Sequence, residues 1–101
     1  MPPRTIDVRI DDVGRVVTAD RRVHADRNQM DKVHFKPAPG KKVRIDFSPY
    51  LAGSPFATPT FDVPPSGVQD VVGRSGTYKY DVYDLTAGGA KLTDDPEVVI
   101  E

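Results

Sequence analysis

With 101 residues, the chain has the length of a single domain, and its lack of cysteine excludes disulfide scaffolds, cysteine metal sites and thiol catalysis. The net charge is −1 and no apolar run is long enough to span a membrane, so we expect neither a nucleic-acid nor a membrane partner. Ten prolines and eight glycines divide the chain into short segments, which favours strands over helices. No signal peptide is recognisable at the N-terminus, which predicts a cytoplasmic protein.

The first half of the chain contains several short segments in which apolar and polar residues alternate. In residues 5–11, for example, Ile6 and Val8 fall on one face, as in a strand with one side exposed to water. Residues 20–30 fit either a helical turn or a short strand around Val23 followed by a loop, and we favour the strand and loop. The strands predicted in this half, of which the first two are close enough to form a hairpin, are residues 5–11, 15–19, 31–36 and 41–47.

Residues 48–67 are rich in proline and glycine, which predicts a long, irregular excursion from the strands. A loop of this length in a compact domain is more often functional than a short one. Its apolar side chains allow two interpretations. They form either a contact surface for another protein, since aromatic residues are enriched at interfaces, or a cap that closes the open end of the core. The candidate contact residues are Tyr50, Leu51 and Phe56.

The second half contains three further alternating segments. The clearest is residues 76–84, in which Tyr78, Tyr80 and Val82 fall on one face after an opening glycine. The other two are residues 68–72 and 97–101. Seven or eight short strands, with turns about every 8–12 residues, predict an all-β fold: a two-sheet Greek-key sandwich forming one domain over residues 1–101.

Residues 76–82 have the sequence Gly-Thr-Tyr-Lys-Tyr-Asp-Val, and residues 41–47 form an alternating basic strand before them. The first segment resembles the Gly-x-Tyr-x-Phe/Tyr-x-Cys strand of blue-copper proteins and the second resembles their central strand, so the chain resembles cupredoxin-like β-sandwiches. Residues 95–100 are similar to the ends of small bacterial domains, among them the DP-EP family. The resemblance implies a sandwich without the copper centre, because Val82 stands in place of the cysteine ligand and no histidine or methionine follows it.

Two histidines and nearby aspartates form the candidate metal site. Imidazoles combined with carboxylates suit zinc or copper, but the spacing along the chain is loose, so the sequence favours two unrelated surface histidines and the metal site is the alternative. The candidate ligands are His24, His34, Asp26 and Asp31. Calcium binding by the acidic residues between positions 81 and 97 is a further alternative, although no EF-hand spacing is present.

Catalytic motifs are not recognisable. No serine lies in a Gly-x-Ser-x-Gly elbow, and no glycine-rich loop precedes a helix to cradle a phosphate. We therefore expect no enzyme, no catalytic residue and no cofactor. The sequence favours a non-catalytic protein-interaction or structural module that contacts another protein through the 48–67 loop or a sheet edge. The alternatives are a metal-binding domain and a binder of a small ligand or carbohydrate that uses Tyr50 and Tyr83.

Overall fold

The structure is a computed structural model that describes residues 4–10, 22–64, 66–86, 88–92 and 96–101. In these ranges the chain is all-β, as predicted, and forms ten short strands. None of the described residues forms a helix, and hence none forms a helix long and apolar enough to cross a membrane. The strands are β1 (Thr5–Ile10), β2 (Arg22–Ala25), β3 (Lys32–Pro37), β4 (Val43–Asp46), β5 (Thr60–Val63), β6 (Val68–Asp70), β7 (Gly76–Lys79), β8 (Asp81–Asp84), β9 (Ala90–Leu92) and β10 (Glu97–Ile100). The strand predicted at residues 15–19, with its hairpin, lies outside the described residues.

The strands form three small sheets, which we call A, B and C. Sheet A has the order β1-β3-β6, sheet B the order β2-β10-β7 and sheet C the order β5-β4-β8-β9. The pairs β1 with β3 and β2 with β10 are parallel, whereas the other pairs are antiparallel. The inner faces of all three sheets contribute to one hydrophobic core, as is expected of a β-sandwich.

The burial of alternate residues follows the predicted faces in strands such as β3, but not in β8, where Asp81 and Asp84 are buried as well as Val82. Along β3, Val33 and Phe35 are buried whereas Lys32 is exposed. The register places Val8 of β1 beside Phe35, so apolar side chains of the same face meet across the ladder. The buried hydrophobic residues of the core are Val8, Ile10, Val23, Ala25, Val33, Phe35, Val43, Ile45, Phe47, Phe56, Phe61, Val63, Tyr78, Tyr80, Val82, Val98 and Ile100.

Five aromatic rings meet at the centre of this core. Phe35 of β3 lies edge-on to Phe56 and Tyr80, with ring centroids 5.9 and 5.7 Å apart. Phe61 of β5 lies 5.5 Å from Phe35, and Phe47 lies 5.1 Å from Tyr80. Each such pair contributes about 0.5–1.5 kcal/mol beyond the burial of its area. Because Phe35 belongs to sheet A and Phe61 to sheet C, the rings join these two sheets.

Within the described part of residues 20–30, the favoured interpretation of a short strand followed by a loop is confirmed. β2 ends at Ala25, and a turn follows in which the amide of Met30 donates to the carbonyl of Arg27 at 3.0 Å. Met30 has a φ of 59°, a left-handed conformation that is uncommon for residues other than glycine. The turn therefore places an apolar side chain immediately before β3.

Two predicted segments are organised differently from the prediction. The predicted strand 76–84 is divided at Tyr80, so that β7 joins sheet B and β8 joins sheet C, while Val82 remains buried. At the division, the amide of Tyr80 donates to the carbonyl of Pro96, 3.3 Å away. The segment 48–67 is not irregular throughout, because its last part forms β5 against β4. These differences, together with β9, raise the number of strands above the seven or eight predicted.

Candidate functional site

The two histidines of the predicted metal site lie in different sheets. His24 is on β2 in sheet B, where Nδ1 lies 2.7 Å from Oε1 of Glu101. His34 is on β3 in sheet A, where Nδ1 lies 3.8 Å from Oδ1 of Asp7. Each imidazole thus faces a separate carboxylate, an arrangement that favours the interpretation as two unrelated surface histidines.

The two aspartates of the predicted metal site hold neighbouring chain segments in place. The buried Asp31 carboxylate accepts hydrogen bonds from Nη2 of Arg4 at 2.9 Å, from the Arg4 amide at 3.1 Å and from the Asp26 amide at 2.9 Å. The hydrogen bond from the Arg4 side chain is the main reason that the pKa of Asp31 lies below its ordinary value. Asp26 in turn accepts from the amide of Asn28 at 2.8 Å. Within the described ranges, no group of three or more histidine and acidic side chains is suited to hold a metal ion.

The three predicted contact residues of the 48–67 segment have different environments. Phe56 has 3% of its surface exposed, so it closes the core and does not belong to a contact surface. Tyr50 is half-buried, and its hydroxyl donates to Oδ1 of Asp81 on β8 at 2.7 Å. Leu51 is fully exposed. The structure therefore divides this set between the two interpretations, since Phe56 is a core residue and Leu51 is available for contact.

Hydrogen bonds on both sides support the turn that carries Leu51. Oδ1 of Asp46 accepts from the amide of Ser48 at 2.9 Å. The amide of Gly53 donates to the carbonyl of Tyr50 at 3.0 Å. Together with the hydroxyl bond from Tyr50 to β8, these contacts hold the turn against sheet C. The bond from Tyr50 to Asp81 could not be predicted from the local sequence, because the two residues are 31 positions apart.

β6 lies at the edge of sheet A, and among the described residues it pairs only with β3. The amide of Phe35 donates to the carbonyl of Gly67 at 2.8 Å, so these two residues form a hydrogen-bonded pair of the ladder. Because such pairs alternate along an antiparallel ladder, the N–H and C=O groups of Val68 and Asp70 point away from β3. We call this outward row of backbone groups the β6 edge.

Exposed apolar side chains are concentrated near the β6 edge. Four large hydrophobic residues are strongly exposed in the described part of the chain, and three of them, Met30, Val68 and Val72, lie on or beside β6. Met30 belongs to this group because it lines the same groove as Asp70. The fourth is Leu51. Clustering of this kind is more informative than single exposed apolar residues, which are common on protein surfaces.

Two grooves lie at the two ends of β6. The first, which we call the proline groove, has a volume of about 420 Å³ and has no acidic residue among the described residues that line it. The second has a volume of about 440 Å³ and contains side chains of both charges. The lining of the proline groove is His34, Phe35, Lys36, Pro37, Ala38, Pro39, Gly40, Lys41, Val63, Pro64, Gly67 and Val68. The lining of the second groove is Arg27, Met30, Asp31, Lys32, Asp70 and Val71.

The sequence analysis predicted a strand at residues 68–72 but not its place at the edge of a sheet. Residues 37–40 and Pro64 were also interpreted as parts of separate breaks in the chain, whereas they line one groove. The edge, the grooves and the exposed turn are interpreted from their chemistry alone. Models of protein families, curated proteins and solved structures were compared with the chain, and none of them matches it.

Proposed function

We propose that the chain is a non-catalytic protein-interaction module that binds an extended segment of another protein along the β6 edge. The observation that carries this proposal is that outward backbone groups on Val68 and Asp70 coincide with exposed side chains of Val68 and Val72. A segment that adds to a sheet edge obtains affinity from main-chain hydrogen bonds and specificity from alternate side chains. The β6 edge offers a surface for both.

The composition of the β6 edge supports a binding role. Natural proteins usually use charged residues, prolines or bulges to prevent their edge strands from pairing with other chains. In β6, Asp70 is the one charged residue, and its carboxylate lies 3.6 Å from Nζ of Lys32 on β3. Val68 and Val72 expose 52% and 57% of their surfaces. The short length of β6 and the charge of Asp70 limit unspecific pairing, whereas the exposed side chains of Val68 and Val72 favour association with a partner segment that covers them.

Leu51 offers a second contact surface for the same function. Its side chain is fully exposed on a turn that hydrogen bonds hold against sheet C. An apolar anchor on a rigid turn loses little conformational entropy when a partner binds. A partner that uses this turn would be released by Leu51→Ser and would be insensitive to changes in β6.

Edge binding is tested with Asp70→Pro and its matched control Asp70→Ala. Proline at this position removes an outward N–H group and leaves the ladder to β3 intact, whereas alanine retains the N–H group. The probe is the extended peptide Ac-Thr-Val-Thr-Val-Thr-NH2, which is titrated into the ¹⁵N-labelled chain up to about 1 mM. This range detects binding with a Kd of about 1 mM, which corresponds to a binding free energy of about −4 kcal/mol. We expect amide shifts at residues 66–72 that persist in Asp70→Ala and disappear in Asp70→Pro.

Two results would contradict edge binding. The first is the absence of shifts at residues 66–72 over the whole titration, and the second is an equal response of the proline and alanine variants. Light scattering of the free chain provides an independent check. A dimer that Asp70→Pro dissociates would show that the β6 edge pairs with a second copy, which would overturn the proposal of a different protein as partner.

We also propose that this function is built on a cupredoxin-like scaffold used without copper. Two features support the proposal: β4, predicted as the central strand, lies between β5 and β8, and Val82 of β8 is 1% exposed and pairs with Ile45. An aliphatic side chain in that position contributes to packing and offers no metal ligand. Titration with Cu(I) and Cu(II) under NMR observation tests this proposal. Localised shifts or broadening around Val82 would overturn it, and the same changes around His24 and Asp26 or His34 and Asp31 would favour the metal-binding alternative.

A further inference from the structure

We propose that the partner segment is acidic at the end that meets the beginning of β6, where the proline groove receives a carboxylate side chain. This inference rests on the proposed function, because it requires a segment that lies along the β6 edge. It adds that the segment is acidic and states which end of it carries the acidic residues.

Lysine and histidine side chains and apolar walls together form the proline groove. His34, Lys36 and Lys41 line it, and none of its described lining residues is acidic. A carboxylate that enters the groove therefore meets basic groups without meeting a like charge on its walls. Asp7 and Asp84, which form ion pairs with the two lysines, do not belong to the lining.

Both lysines retain donors for a second carboxylate. Nζ of Lys36 lies 3.0 Å from Oδ2 of Asp7, and Nζ of Lys41 lies 3.3 Å from Oδ2 of Asp84. An ammonium group carries three N–H donors, so an ion pair with one carboxylate leaves donors for another acceptor. The ion pairs restrict the two lysine side chains, which reduces the side-chain entropy lost when a partner binds, and they also offset part of the lysine charge.

The walls of the groove have a fixed shape. Pro37, Pro39 and Pro64 line it, and the proline ring restricts the backbone at each of these positions. At the junction with β6, a Cβ atom on Gly67 would lie 3.1 Å from the carbonyl oxygen of Phe35 and 3.4 Å from the ring of His34. A side chain at position 67 would therefore crowd two of the residues that line the groove. A preformed groove binds with a smaller loss of conformational freedom.

The groove at the other end of β6 has a different charge. Its lining combines Arg27 and Lys32 with Asp31 and Asp70, and Met30 adds an exposed apolar side chain. A segment along the β6 edge thus meets a basic groove without acidic residues only at the beginning of the strand. A carboxylate placed in the second groove would face Asp31 and Asp70. This difference therefore sets the register of the segment and places its acidic end at the beginning of β6.

The test uses peptides that share the core Thr-Val-Thr-Val-Thr and carry two glutamates, two serines or two lysines at one end. Each charged end is placed at the N-terminus in one peptide and at the C-terminus in another, because either strand direction can pair with an edge. The peptides are titrated into the full ¹⁵N-labelled chain at low salt. We expect the better glutamate peptide to bind about tenfold more tightly than the serine peptide, with added shifts at residues 36–41 and at Gly67.

Lys36→Gln and Lys32→Gln form a matched pair of variants. Both lysines are partly exposed on β3 and each forms an ion pair with one aspartate, but Lys36 lines the proline groove and Lys32 lines the second groove. We expect Lys36→Gln to abolish the preference for glutamate and Lys32→Gln to retain it. An equal loss in both variants would indicate a general charge effect and would overturn the assignment to the groove.

The remaining outcomes separate this inference from the proposed function. If all peptides bind along β6 with equal affinity, edge binding is retained and the acidic partner is overturned. If no peptide shifts residues 66–72, both proposals fail. If free glutamate at the same concentration reproduces the shifts at residues 36–41, the groove binds a small carboxylate and does not recognise a partner segment. This result would also overturn the inference.

Discussion

Replacement of Asp31 by asparagine measures how much its buried carboxylate stabilises the fold. Oδ2 accepts from Nη2 of Arg4 and from the amide of Asp26, both at 2.9 Å, and Oδ1 accepts from the amide of Arg4 at 3.1 Å. In Asp31→Asn the side-chain NH2 group faces a donor in either orientation, so at least one backbone amide loses its acceptor. Because hydrogen bonds to a charged group contribute about 1.5–3 kcal/mol, we expect the free energy of unfolding to fall by about 2 kcal/mol.

Thermal unfolding is the assay for this variant. In a domain of about 100 residues this loss corresponds to a decrease in Tm of about 8–16 °C. Arg4→Met is the comparison, because it removes the side-chain bond and retains both backbone-amide bonds; since the Asp31 carboxylate is buried and loses its counter-charge, this variant should lower Tm as well. An unchanged Tm in Asp31→Asn would show that the bonds to this carboxylate do not stabilise the fold.

The same variant has a defined pH dependence. The pKa of Asp31 in the folded chain lies below its ordinary value of 3.8, chiefly because of the hydrogen bond from Arg4. The folded state therefore binds this proton more weakly than the unfolded state does. The stabilisation is complete well above the unfolded-state pKa of about 4 and is lost as the pH falls through the lower folded-state pKa. Asp31→Asn should show a shallower loss of stability between neutral and acidic pH, and a slope equal to that of the unmodified chain would contradict this assignment.

Three further substitutions test the packing. Phe56→Ala should lower the free energy of unfolding by about 3–5 kcal/mol in urea denaturation, since its ring contacts three other aromatic rings, and an unchanged midpoint would place the ring outside the core. Gly73→Ala should cost about 1–3 kcal/mol because its Cβ would lie 2.8 Å from the backbone of Pro55, and full stability would show that this contact relaxes freely. Leu51→Ser should leave the urea midpoint unchanged, whereas a large decrease would mean that Leu51 is packed.

Much of the strand pattern was predictable because its cause is local. In β1 and β3 the alternation of apolar and polar residues decides which face is buried, and the register then places Val8 beside Phe35. The division of the predicted strand 76–84 has a different cause. The alternation continues through Tyr80 without a break, and the change of sheet depends on pairing with β10 and on the carbonyl of Pro96. Neither partner is visible in the local pattern.

The candidate sites show the same contrast between local patterns and contacts that depend on the fold. Asp31 was a candidate ligand in the alternative of a metal site because aspartate beside histidine suits that role, whereas its partner in the structure is Arg4, which lies 27 residues away in the chain. Tyr50, Leu51 and Phe56 look equivalent as apolar residues of one loop. Their different burial follows from the position of the loop over the core, where Phe56 reaches the aromatic cluster and Leu51 does not.

The order of strands in sheet A determines the environment of the exposed valines on and beside β6. Val68 and Val72 belong to a segment that sequence alone predicts as an ordinary strand, and in the middle of a sheet its backbone groups would be paired on both sides. At the edge of sheet A, Val68 combines outward N–H and C=O groups with an exposed side chain. Val72, whose amide donates to the carbonyl of Pro55 at 2.8 Å, adds exposed apolar surface beside it. The basic groove at one end then distinguishes the two directions in which a segment can lie. In the proposed binding mode, recognition would therefore depend on three elements together, β6, the end of β3 and Pro64, and not on a motif within any one of them.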